Sequence, residues 1–238
     1  MRAATIGTIA RQRASGGGVF SPLDLPGIAR WYDAADAATV TSSGGLVSQW
    51  DDKSGASAHA TQATDGSKYT YSAAAVNGLN AMTASGSGAM NFSSTGNGLG
   101  LWMFCVGGNS RASGSIFLTT SLTTSYMGHV GVSGTSSEFA FSPSKIAVVT
   151  AGAAASNGSI NLFGVAFDGS NFNAFFNSTV GASSAGDIAV GFSSLSNYPA
   201  GSFKLNGTIC EIFFGFGTLT SGQLADAKAY LKAKWGTP

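Results

Sequence analysis

The sequence predicts an all-β protein, a β-sandwich closed by a short C-terminal helix, on three observations. Short apolar stretches recur about every 8 to 12 residues between Ser-, Gly- and Thr-rich turns, the spacing of antiparallel strands in a sandwich. The run Leu99 to Val106, LGLWMFCV, is almost continuously apolar and bounded by glycines, the pattern of a central strand buried on both faces. Two aromatic-rich segments flank Asp168-Gly169, a strong hairpin signal.

Residues 1–21 hold Arg2, Arg11 and Arg13, no acidic residue and a Gly16-Gly17-Gly18 hinge. They read as a flexible basic arm, expected to be the attachment element, ahead of one domain over residues 22–238. From Trp31 to Gly55 two tryptophans, Trp31 and Trp50, supply large apolar groups to place between two sheets, with Gly44-Gly45 freeing a reversal between them. Asp33, Asp36, Asp51 and Asp52 flank those tryptophans, and Asp65 follows, all placed to accept turn amides.

Weak strands are expected at Tyr69–Tyr71, Leu79–Thr83 and Ala89–Phe92, then at Ile116–Thr119, Tyr126–Val132, Glu138–Phe141 and Ile146–Thr150. In the hairpin, Phe163, Val165 and Phe167 share one face of the first strand, and Phe172, Ala174 and Phe176 one face of the second. A short strand at Asp187–Phe192 and a long one at Thr208–Phe214 complete the set. Thr220 and Gln223 form a capping box that starts a helix, Leu224, Ala227, Leu231 and Trp235 give it an apolar stripe, and Gly236 ends it.

The segment Pro22 to Gln62, with its WYDAAD and QWDDKSG pieces, resembles the opening of concanavalin A-like (laminin-G-like) jelly-roll domains of tailed-bacteriophage virion proteins. Gly207 to Gly236, GTICEIFFGFGTLTSGQLADAKAYLKAKWG, resembles their last core strand and closing helix. The resemblance implies a concanavalin A-like jelly-roll β-sandwich and makes Glu211 a structural strand residue needing a donor such as Arg30 or a backbone amide. The same fold carries lectins, glucanases and structural modules, so the fold by itself names no activity.

Composition narrows the function classes. Only 10% of residues are charged and the net charge is +1, which argues against a nucleic-acid partner, because phosphate binding needs a clustered cationic surface. Between Tyr69 and Ser137 only Arg111 is charged, which suits a surface covered by neighbouring subunits, so a homo-oligomer is expected. No apolar run has signal-peptide or membrane length. Synthesis in the host cytoplasm followed by residence on the virion surface is the expectation, with no membrane association. Cys105 and Cys210 sit in apolar runs and read as buried thiols, with a disulfide between them left open.

No catalytic set is evident. The glutamates are Glu138 and Glu211, and no Glu-x-Asp-x-x-Glu strand motif, nucleophile elbow or phosphate loop appears. His59 and His129 stand apart without companions at ligand spacing, and the aspartates lack the alternation of a calcium loop, so no metal and no cofactor are expected. Glycan contact would need an exposed aromatic platform, for which Tyr69, Tyr71, Tyr126 and Tyr198 are the candidates. The expected function is thus a non-catalytic structural protein of a tailed-phage virion, in capsid decoration, tail or fibre, joined to other virion proteins through Arg2, Arg11 and Arg13 of the arm. The alternative is a carbohydrate-binding module for attachment to a host-surface glycan.

Overall fold

The computed structural model describes residues 19–95, 98–110, 115–119, 126–132, 136–142, 145–148, 158–185, 191–196 and 204–238. One leaf of the sandwich is built around β8 (Leu101–Asn109) and β17 (Asn206–Phe216), which pair antiparallel along nearly their whole length. β13 (Asn161–Phe167), β14 (Asn171–Phe176) and β15 (Thr179–Ala185) extend it beyond β8, and β1 (Ile28–Asp33) extends it beyond β17. Every residue of β8 is buried, as the LGLWMFCV run predicts, although Leu99 precedes the strand and is exposed; β13, where one core face was expected, is buried along its whole length too.

The second leaf runs through β2 (Val40–Ser43), β3 (Leu46–Trp50), β4 (Ala60–Thr61), β7 (Met90–Asn91), β16 (Ser194–Leu195), β9 (Ser115–Thr119), β10 (Tyr126–Val132), β11 (Ser136–Ser142) and β12 (Lys145–Val148). The hairpin of β5 (Thr70–Val76) and β6 (Leu79–Ser85) joins the leaves: β6 pairs with the start of β17 and β5 meets β3. The chain is therefore an antiparallel jelly-roll β-sandwich with one C-terminal helix. Of the strand expected over residues 187–192, Gly191 and Phe192 belong to no strand, and the remainder lies outside the described residues. The polar strand β15 has no apolar alternation to announce it.

Two apolar layers result. Between the leaves lie Tyr32, Met103, Phe163, Val165, Phe172 and Phe214 from one side and Trp50, Met90, Phe117, Leu118 and Leu195 from the other. The Phe117 and Phe163 rings meet edge-on at 4.7 Å, and Tyr32 packs on Trp50 at 5.5 Å. On the outer face of the β1–β17–β8–β13–β14 leaf, Trp31, Trp102, Phe104, Phe175 and Phe213 are covered by helix α1 (Ser221–Trp235) through Ala227, Leu231 and Trp235. Trp31 thus lies beneath the helix, not between the leaves with Trp50, because successive residues of β1 alternate faces. Helix α1 begins with both arms of the Thr220/Gln223 capping box and ends at Gly236, whose φ of 66° is the left-handed cap.

Candidate functional site

The site grows from an irregularity in β17. A bulge between Ile209 and Glu211 shifts its register, so Cys210 and Glu211 both face the helix while Ile209 and Ile212 face the inter-leaf core. A bulge re-aims side chains in this way, and here it buries a carboxylate completely. Four donors serve it: Oε1 accepts from Trp31 Nε1 (2.8 Å) and Tyr230 Oη (3.0 Å), and Oε2 from Lys234 Nζ (2.8 Å) and Trp235 Nε1 (2.8 Å). The expected partner Arg30 is not among them. Its guanidinium donates to the Ser93 carbonyl and lies over Phe92, because Arg30 adjoins Trp31 in β1 and alternation puts it on the opposite face of the leaf.

A ladder of charge leads outward from Glu211. Lys234 also pairs with Asp33 (2.7 Å), and Lys53 pairs with Asp33 (3.1 Å) and Asp36 (2.7 Å) while lying 4.5 Å over the Trp31 ring. Burial, reinforced by the Asp33 charge, raises the Glu211 carboxyl above the ordinary glutamate range, although Lys234 opposes this. The Lys53 hydrogen bond holds Asp36 below its ordinary value. Burial, then the Glu211 charge, pushes the Tyr230 phenol far up, so it stays a neutral donor. Behind the ladder, Asp52 accepts the amides of Trp31, Ser54 and Ala58, and the Lys53 amide donates to the Trp31 carbonyl; together these seal the free edge of β1. Asp52 and Asp33, which also accepts the Ala35 amide, serve as the turn acceptors the sequence suggests.

Above this hub opens a groove of about 450 Å³. Its helical wall is a single stripe of α1, Asp226, Ala229, Tyr230, Ala233 and Lys234, which recurs at three and four residues. Val19 and Phe20 form the opposite wall, and the Phe20 and Tyr230 rings lie 5.5 Å apart, inclined at 51°. The hydroxyl of Tyr230 is tied down to Glu211 while its ring lines the groove, and Asp226 is exposed at the rim. An apolar aromatic floor with few polar groups beside it is the general form of a small-ligand site.

The sequence candidates for glycan contact are scattered. Tyr69 is fully buried in the inter-leaf core with its hydroxyl toward the Leu195 carbonyl, so it presents no platform to solvent; the close approach of Gly88 to its ring holds it there. Tyr71 is half-buried, donating to the Ala34 carbonyl (2.9 Å) and accepting from Asn80 (2.7 Å), and its phenol is raised by burial and then the Asp33 and Asp36 charges. Tyr126 sits in β10 opposite Thr119 and Ser142. Tyr198, Arg2, Arg11 and Arg13 lie outside the described residues. Cys105 and Cys210 are free thiols on opposite faces of the leaf, both pushed up by burial. Tyr230, Lys234 and Asp226 were not among the candidates, yet their spacing of four residues on one helix is a readable signal.

No family model matches the chain, and no curated protein matches it. Solved structures do. The chain is similar to domain 4 of AbnA, a GH43 extracellular arabinanase from Geobacillus stearothermophilus, in complex with arabinotriose, with a TM-score of 0.53 and 14% identity over 84% of this chain and 97% of that one. It is also similar to an arabinofuranosidase complexed with arabinofuranosyl-α-1,2-xylobiose (TM-score 0.56, 14% identity, 80% of this chain and 51% of that one). The binding domain of Paraclostridial mosquitocidal protein 1 gives a TM-score of 0.53 at 8% identity over 89% of this chain and 55% of that one. The chain therefore spans about half the length of the latter two and nearly all of the first. At these identities the likeness shows a shared β-sandwich fold.

Proposed function

We propose that this protein is a non-catalytic carbohydrate-binding module and that the Phe20–Tyr230 groove is where the sugar lies. The observation that carries this reading is the groove itself, an aromatic floor whose tyrosine is fixed from below, on a sandwich similar in fold to nearly the whole of a domain solved with arabinotriose. Sugar rings present C–H faces that pack on aromatic side chains and hydroxyls that need a few polar groups at the edge. The tailed-phage setting that the end segments resemble would make this an attachment module on a particle surface; that setting, and a purely structural virion role, rest on the sequence resemblance.

Absence of catalysis is part of the proposal. A general acid has to reach the glycosidic oxygen, and Glu211 is fully buried with both oxygens occupied by protein donors. Incubation with arabinan and xylan should release no reducing ends above those of a Glu211→Gln control. Affinity electrophoresis in gels containing arabinan or xylan should retard the parent protein, and Phe20→Ala should abolish the retardation with the fold intact. Release of sugar, or retardation unchanged in Phe20→Ala, would count against the reading.

A further inference from the structure

Resting on the carbohydrate reading, we infer that the groove takes neutral, hydroxyl-rich sugars and rejects glycans that carry carboxylate groups. Hydrogen-bonding capacity along the groove walls sets this preference. Lys234 is the cation that lines the groove, and an ammonium has three N–H bonds to give. They are directed at Glu211 Oε2, Asp33 Oδ1 and the Tyr230 hydroxyl. The single phenolic proton of Tyr230 goes to Glu211 Oε1. Val19, Phe20, Ala229 and Ala233 offer no side-chain donor, and backbone amides in the body of α1 are spent within the helix.

Asp226 is what remains, exposed and without a hydrogen bond or ion pair among the described residues. A carboxylate only accepts, so the ligand has to bring the protons, which is what sugar hydroxyls do. An anionic sugar brings acceptors to a wall whose side-chain donors are all taken by the protein, and it meets a like charge at the rim. Beneath the floor the balance is also acidic: Glu211, Asp33 and Asp36 face two ammonium groups, Lys234 and Lys53. Burying an acceptor with no donor, or two like charges together, is unfavourable.

The test uses the full chain and isothermal titration with two probe sets of equal length, neutral arabino- and xylo-oligosaccharides and acidic oligogalacturonates, at low and high salt. Neutral probes should bind and the acidic ones should bind at least about tenfold more weakly, with the difference shrinking as salt screens the repulsion. Asp226→Lys, an exposed helix-surface change, should move the preference toward oligogalacturonates. If oligogalacturonates bind as tightly as the neutral probes, or if Asp226→Lys leaves the preference unmoved, this inference fails while the carbohydrate reading stands. If neither set binds and glycans in general are not retained, the carbohydrate reading fails and takes this inference with it.

Discussion

Replacing Glu211 with glutamine keeps the shape of the side chain and reverses the polarity of one of its ends. In the native protein Oε1 accepts from Trp31 and Tyr230, and Oε2 from Lys234 and Trp235. An amide can serve one pair, but it turns N–H groups toward the other, so two buried donors lose their acceptor and Lys234 loses one of its two carboxylate partners. Each unmet buried donor costs about 1–3 kcal/mol, and breaking a buried ion pair costs about 3–5 kcal/mol. These overlap, which puts the expected loss at about 3–5 kcal/mol. Urea unfolding followed by tryptophan fluorescence reads it directly, since Trp31 and Trp235 both bond to Glu211. The pH profile adds a sign. The folded-state carboxyl is raised, so between the ordinary glutamate value of about 4.3 and the raised value the folded state holds the proton more firmly than the unfolded one. The associated stability is fully present below that window and is lost as pH climbs through it. Glutamine has no such proton, so the stability gap between parent and variant should narrow as pH rises across the window. A loss below about 1 kcal/mol, or a gap that widens with pH, would refute this account of the hub.

Two further outcomes are expected. Trp235→Ala removes a ring that is 2% exposed and a donor to Glu211, and should cost about 3–5 kcal/mol in chemical denaturation; a variant as stable as the parent would mean that α1 is peripheral to the sandwich. Deleting residues 2–18 while keeping Phe20, which packs on Tyr230, and Ser21, which caps the turn at Pro22–Asp24, should leave the melting temperature within about 2 °C of the parent. A larger drop would show that the arm helps hold the sandwich.

Legibility in the sequence followed apolar content. β8, the β13–β14 pair, β17 and α1 announce themselves because each buries a run or stripe whose period matches its element. β15, TVGASSA, carries no such signal and is held by pairing to β14. The faces of residues near bulges were not legible either, because a bulge reverses the parity from which faces are counted. Arg30 is absent from the donors around Glu211 for a simpler reason: it adjoins Trp31, which faces Glu211, and so points to the other side of the leaf. Tyr69 and Tyr71 are two apart and were expected to act alike, yet Tyr69 precedes β5 and points into the core, whereas Tyr71 lies within the strand at its rim. For the groove, the stripe from Asp226 to Lys234 was present in the sequence, but its facing wall, Val19 and Phe20, comes from the other end of the chain and only the folded structure brings the two together.

The hub and the groove act as one device. A buried ion pair adds little net stability compared with a well-packed apolar replacement, so stability alone gives no reason for Glu211 to be charged, and its effect on Tyr230 is the more telling one. A tyrosine on a helix surface samples several rotamers, and a ligand that stacks on it has to halt that motion at about 0.5–1.5 kcal/mol per side chain. With the hydroxyl fixed between Glu211 and Lys234 and the ring braced by Phe20, that ordering is complete before any ligand arrives. Lys234 is held in turn by Asp33 through its ammonium and by Asn77, whose side-chain amide donates to the Lys234 carbonyl at 2.9 Å. Each polar group beneath the floor is thereby occupied by the protein itself, which leaves the ring face and the rim carboxylate of Asp226 to meet what enters. On the proposed reading, rigidity and selectivity share one cause: the hydrogen bonds that immobilise Tyr230 also occupy the side-chain donors that an anionic ligand would require.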